Sequence, residues 1–299
     1  MRLTDRDMHI LEAIHIYDGM LGFSQIRRKF FTGKSQAEQR LKLLYQHRYV
    51  NRPNKEQRAR LPEMIYWLDK RGAEIVASRN STPLKEFTWR KKPRWFQVEH
   101  DLAVNNFRLD IEEACKEEQK VGLDTWIPES DFWSYPDKVE YRYNDRKMNR
   151  NVIPDGFFIL DTPNHYFRYL LEIDRSTEDN PRFLREKILP GLAYIRSKVY
   201  EERFGNRSGR WLVVTTGERR LRNMRRQAER GEAKGLFYFT TYDKIKVSTM
   251  LFSLRLRRRS PIIQLLTSLG LSYNFTVLSK KSAKVLSLTK TSASYCGRL

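Results

Sequence analysis

Val152-Ile-Pro-Asp-Gly-Phe-Phe-Ile-Leu160 and, after the turn Asp161-Thr-Pro-Asn164, Tyr166-Phe-Arg-Tyr-Leu-Leu-Glu-Ile-Asp174 are the stretches on which the fold turns. Each is an apolar run of strand length bounded by turn residues. Side chains alternate along a strand, so Glu172 and Asp174 share one face while Ile173 and Arg175 take the other. If the two strands are hairpin neighbours, Asp155 at the head of the first stands within metal-bridging reach of the acids that end the second. Hard oxygen ligands of this kind suit Mg2+ or Mn2+. Such an ion activates water and offsets charge at a phosphodiester.

Working outward, a helix is expected over 98–119, with Leu102, Val104, Phe107 and Ile111 at helical spacing, then a strand over 124–127 and a charged hairpin over 137–151. A long helix at 181–201, a strand at 211–216, an Arg-laden helix at 218–229 and a strand at 235–240 follow the acidic pair. Together these elements describe an α/β layer built on a mixed sheet, a domain spanning 95–243.

Upstream, 1–78 reads as a separate unit. Thr4 is the expected N-cap of a first helix with acids in its first turn. A second helix covers 23–31, and Ser35 with Glu38 has capping-box spacing for a third. The third helix buries Ala37, Leu41 and Leu44, leaving Gln36, Gln39 and Lys42 on a free face with Arg40 at its flank. Strands at 49–52 and 64–68 enclose a loop carrying Lys55, Arg58 and Arg60, and Asp69 caps a closing helix that ends near Ala77. This order is that of a winged helix-turn-helix. Gln pairs bidentately with adenine and Arg or Lys with guanine in the major groove, while a basic wing meets phosphates. A helical module for protein contacts, with a solvated polar third helix, is the plainer alternative. Residues 79–94, rich in Lys, Arg, Ser and Pro, read as a basic linker.

Composition limits the partners. The 299 residues carry a formal net charge of +21, an excess of one sign that points to a polyanion. After Asp243 there is no acidic residue, so 244–299 is a basic tail of uncertain order. No run of about 18 uncharged apolar residues and no signal sequence is evident, and Cys115 and Cys296 suit neither a zinc knuckle nor a disulfide framework. A reduced, cytoplasmic protein with no membrane partner is expected. On the helix at 218–229, Arg219, Arg222 and Arg226 form a basic stripe suited to phosphate contact; a solvated charged face is the equal alternative.

Pro154-Asp155 followed by Glu172-x-Asp174 resembles the core of the PD-(D/E)xK restriction-endonuclease superfamily, with the same order of elements. More specifically, Leu3-Thr-Asp-Arg, His100-Asp-Leu-Ala-Val-Asn-Asn106, Pro154-Asp-Gly156, Leu171-Glu-Ile-Asp-Arg-Ser-Thr177 and the later Lys187 with Tyr194 resemble the replication-relaxation family of plasmid and mobile-element proteins. The resemblance implies an α/β (overall α+β) chain in which an N-terminal winged helix-turn-helix joins a restriction-endonuclease-like mixed-sheet domain. It implies action on double-stranded DNA in plasmid or mobile-element replication, relaxation or mobilisation. The implied partners are replication or mobilisation proteins, with a homodimer as a further option.

One residue departs from the nuclease pattern. The motif Lys is replaced by Asp174, and a carboxylate does not position the attacking water as an ammonium does. Either Lys187 swings into the same place from the following helix, or Arg175 assists from the strand end, or Asp174 joins Asp155 and Glu172 as a third metal ligand. Glu99 or His100 would add a contact. The alternative is that Glu172, Asp174, Arg175 and Lys187 form an ion-pair network locking sheet to helix, with His100 a satisfied core histidine and Asp155 a turn residue. Three functions stay open: a DNA-binding protein of replication-relaxation type, a metal-dependent site-directed endonuclease or nickase, and a winged-helix transcriptional repressor. No phosphate-binding G-x-x-x-x-G-K-[ST] loop is present.

Overall fold

A computed structural model describes residues 1–117, 120–163, 165–175, 180–233 and 235–245. The basic tail beyond 245 and the last two residues of the helix expected over 98–119 lie outside the described residues.

The first unit runs α1 (Asp5–Ile16), β1 (Leu21–Gly22), α2 (Phe23–Phe30), α3 (Lys34–Gln46), β2 (Val50–Asn51), α4 (Lys55–Arg58), β3 (Ile65–Leu68) and α5 (Lys70–Arg79). The strands form an antiparallel sheet of order β1-β3-β2. Thr4 caps α1 with Asp7 reaching back to its N–H, and Asp69 caps α5. The cap expected at Ser35 is corrected: the N-cap lies two residues earlier, at Gly33, and α3 starts at Lys34 without a side-chain cap. Ile10, Leu11, Ile14, Ile26, Ala37, Leu41, Leu44 and Val76 close one core. Gly72 lets α5 approach β2 closely, since a Cβ there would stand 2.0 Å from the Tyr49 carbonyl oxygen. Between β2 and β3 the expected loop contains the single turn α4, closed by reciprocal bonds between Asn54 and Gln57. The stretch read as a basic linker packs as well. Phe87 is buried in the first core with Leu84 and Trp89 against it, and Arg90 pairs with Asp18 and Asp101.

The second unit runs α6 (Val98–Glu117), β4 (Gly122–Pro128), α7 (Glu129–Ser134), β5 (Asp137–Tyr143), β6 (Arg146–Val152), β7 (Gly156–Asp161), β8 (Tyr166–Ile173), α8 (Asn180–Phe183), a π-helical turn (Leu184–Ile188), α9 (Leu189–Ile195), α10 (Lys198–Phe204), β9 (Arg210–Thr215), α11 (Glu218–Arg230) and β10 (Phe237–Thr241). The five-stranded sheet has the order β10-β9-β8-β7-β4. β4, β7 and β8 pair antiparallel, and β8, β9 and β10 pair parallel. β5 and β6 form a separate hairpin.

Strict alternation builds a core on each side of this sheet. Phe157, Leu170, Trp211 and Val213 join Phe132, Ile188, Leu192 and Met224 on one side. Phe158, Tyr169, Leu171, Leu212 and Val214 join Phe107 and Ile111 of α6 on the other. The long helix expected over 181–201 is interrupted twice. Pro190 has no N–H to complete the helical ladder, and the π-helical turn lies just before it. Ser197 then restarts the chain as the N-cap of α10.

α6 joins the two units. Asn105 Nδ2 donates to the Met20 carbonyl at 2.8 Å, Arg108 Nη1 to the Ile16 carbonyl at 2.7 Å, and Gln25 Nε2 to the Leu102 carbonyl at 2.8 Å. Glu112 accepts from the Tyr17 hydroxyl at 2.5 Å and pairs with Lys29 at 2.5 Å. Among the described residues no helix is long and apolar enough to cross a membrane.

Candidate functional site

Asp155 and Glu172 meet because of strand register. Gly156 pairs with Leu171, and one further step along the same antiparallel ladder sets Asp155 opposite Glu172, on the same face. The Asp155 N–H donates to the Leu171 carbonyl at 2.9 Å, and its Oδ2 accepts the Ile173 N–H at 2.6 Å. Both carboxylates are buried, Asp155 with 5 % and Glu172 with 8 % of its surface exposed.

Two cations come to this pair from opposite sides. Lys187, in the π-helical turn, places Nζ 2.6 Å from Glu172 Oε1. His100, in the first turn of α6, places Nε2 3.1 Å from Asp155 Oδ1. Glu172 Oε2 is buried without a hydrogen-bond partner among the described residues. Burial pushes the Glu172 carboxyl up to about 7 against the pull of Lys187, and the neighbouring Asp155 charge adds to the rise. The Asp155 carboxylate lifts the His100 imidazole to about 9 against the cost of burial. Burial also works to raise Asp155, but the His100 charge and bond, Lys187 and the Ile173 N–H outweigh it and hold Asp155 below the usual carboxylate range. At neutral pH the site therefore holds a firmly ionised Asp155 beside a carboxyl poised to gain or lose its proton.

These groups open into a cleft of about 570 Å³ between the sheet, the β5–β6 hairpin and the helices α7 and α9. Asn149, Arg150 and Asn151 of β6, Lys138 of β5 and Trp133 of α7 complete its wall. Arg150 pairs with Glu186 at 3.0 Å. That acid also meets Arg182 and Arg185 and is held down to about 2, with burial opposing these cations.

Asp174 stands apart from this group. Its carboxylate accepts from Arg220 Nε at 3.0 Å and Nη2 at 2.9 Å, a bidentate pair, and from the Thr215 hydroxyl at 2.5 Å. It ties β8 to α11 and leaves Asp155 and Glu172 without a third carboxylate. Arg175 pairs with Glu99 on the surface. Among the described residues no group of three or more His, Cys, Asp or Glu is drawn together for a metal. Two carboxylates with one buried, unpartnered oxygen still match Mg2+, which keeps most of its waters and takes one or two protein carboxylates.

In the first unit, Gln36, Gln39 and Lys42 are exposed on α3, and Lys55 and Arg60 are exposed between β2 and β3. Arg58 is half-buried and donates to the Leu61 carbonyl at 2.9 Å. Arg40 is committed inward, bound through both Nε and Nη2 to the fully buried Asp7. On α11, Arg219, Arg222 and Arg226 are exposed opposite the buried Leu221, Met224 and Ala228, with Arg226 donating to Asn223. Arg220 and Trp133 were not singled out in the sequence. The one signal for Arg220 was an extra Arg beside the Leu221–Met224 stripe, one step from the positions read as phosphate contacts.

No curated protein and no solved structure matches this chain. A family model described as Replication-relaxation matches residues 15–209, a span that takes in α2 and α3, the docking helix α6, Asp155, Glu172 and Lys187. The chain belongs to the replication-relaxation family.

Proposed function

We propose that this chain binds double-stranded DNA through a winged helix-turn-helix formed by its first unit, and serves plasmid or mobile-element replication from that position. The observation that carries the reading is α3, whose buried Ala37, Leu41 and Leu44 turn Gln36, Gln39 and Lys42 to solvent as a face free to enter a groove. Lys55 and Arg60, exposed between β2 and β3, would meet phosphates, and Arg219, Arg222 and Arg226 offer a second basic surface. The test is anisotropy titration of duplex fragments from DNA flanking the gene. Gln39→Ala is expected to weaken specific binding by about 1–3 kcal/mol. Undiminished specific binding by a variant lacking Gln36, Gln39 and Lys42 together would remove α3 as the reader.

A second reading, metal-dependent cleavage of one DNA strand, is favoured by Lys187. Placed 2.6 Å from Glu172, it supplies the ammonium that Asp174 displaces from the nuclease motif. Asp155 and Glu172 would hold Mg2+ or Mn2+. When bound, such an ion polarises a phosphodiester oxygen. Lys187 orients Glu172 and adds positive charge where negative charge develops. Incubation of supercoiled plasmid with protein and Mg2+ or Mn2+ is expected to give nicked circles, lost in Asp155→Ala and in Lys187→Met. Plasmid that stays supercoiled with either ion across a range of substrates refutes cleavage.

A further inference from the structure

Trp133 is out of place for a core residue. It is 58 % exposed, yet its indole is fixed: Nε1 donates to Glu129 Oε1 at 3.0 Å, and Glu129 is itself anchored by Arg94. The exposed ring lines the same cleft as Asp155 and Glu172, with Pro190 and Gly191 adding apolar wall. A large exposed aromatic tethered by its Nε1 on the wall of a polar cleft offers a flat surface to a planar partner.

The charges of the cleft point to the same partner. Glu129 is paired with Arg94, Asp155 with His100, Glu172 with Lys187 and Glu186 with Arg150. Lys138 is exposed on the wall, and among the described residues no ion pair involves it. The charge left over for a ligand is therefore cationic. Asn149 and Asn151 on the exposed side of β6 add amide donors and acceptors.

Size decides between duplex and strand. A cleft of about 570 Å³ falls in the range of small-ligand pockets, roughly 300–1,000 Å³. It suits one or two unpaired nucleotides, whereas an intact duplex would hide its bases from the indole.

From this geometry we infer that the cleft takes a single, unpaired DNA strand, with a base stacked on Trp133 and its phosphate at Lys138. The inference rests on reading the Asp155–Glu172 cleft as a DNA site, and it names the substrate of that site as single-stranded rather than double-stranded. The first unit then holds duplex while the second holds a strand released from it.

The experiment measures binding of short fluorescent single strands to the full chain in EDTA, so that cleavage plays no part. Trp133→Ala is expected to weaken single-strand binding about tenfold or more, and Trp133→Phe to restore most of it. Duplex binding through α3 is expected to stay within twofold for both variants. With the unaltered protein, scanning one abasic site along the strand is expected to reveal a position that costs a comparable factor, because the phosphate remains and the stacking base is gone. Equal affinity of Trp133→Ala and the unaltered chain for single strands overturns the inference, as does an abasic scan without effect at any position. Loss of plasmid nicking alone bears on the cleavage reading and leaves this one standing, since strand binding is measured without metal.

Discussion

Replacing Glu172 by Gln is expected to make this protein more stable in alkaline solution, although the residue is buried at the centre of the site. Burial raises the folded-state carboxyl from an ordinary 4.5 to about 7. The folded chain thus holds this proton more tightly than the unfolded chain. Stability falls as pH rises from the unfolded value towards the folded one, and the loss is complete above about 7. A rise of this size corresponds to about 3 kcal/mol at most. Gln keeps the shape of the side chain and carries no charge to ionise, so the variant avoids the loss. The pull of Lys187 is already contained in the folded-state value, so the gain above about pH 7 approaches that figure. Urea unfolding of both proteins from pH 4 to pH 9 tests this. The difference should be near zero at pH 4, open between about 4.5 and 7, and hold steady beyond. A Glu172→Gln variant less stable than the parent at pH 8, or a difference constant across the range, refutes the reasoning.

Other outcomes follow from particular contacts. Arg40→Ala strands the fully buried Asp7 and is expected to cost about 2–4 kcal/mol of stability, read by thermal melting, whether or not DNA is present. Arg220→Ala removes the bidentate partner of Asp174 and should destabilise the fold by about 3 kcal/mol in urea titration. If cleavage is detected, that variant should keep it at temperatures where the chain is folded, because Asp155, Glu172 and Lys187 are untouched. Gly72→Ala drives a methyl into the Tyr49 carbonyl and should lower the melting temperature steeply, while Gly33→Ala, with open space around it, should not.

Strong periodicity made most of the fold readable. α11 announces its buried side through Leu221, Met224 and Ala228, and β7 and β8 through apolar runs between turn residues. What escaped has local physical causes. β1 is two residues long, too short to alternate, and becomes a strand only by pairing with β3. The spacing of Ser35 and Glu38 mimics a capping box, yet α3 begins at Lys34 with Gly33 as its N-cap, and Glu38 turns towards Lys34. α7 is a six-residue helix whose sequence has no room for a helical period. The helix over 181–201 was read as continuous through Pro190, and nothing local showed that the turn before that proline would widen and carry Lys187 over Glu172. The juxtaposition of Asp155 and Glu172 was legible because register follows from a short turn between two strands. The separation of Asp174 was not, because it depends on Arg220, 46 residues further on.

α6 also sets a length. From His100 to Glu112 it advances about 18 Å at 1.5 Å per residue, close to five base steps along one strand at about 3.4 Å each. His100 at one end grips the acidic pair, and Arg108 and Glu112 further along grip the first unit. On the proposed reading, in which the first unit seats the protein on DNA, the helix would act as a ruler, fixing the count of nucleotides between the base pairs met by α3 and the phosphate that reaches the cleft.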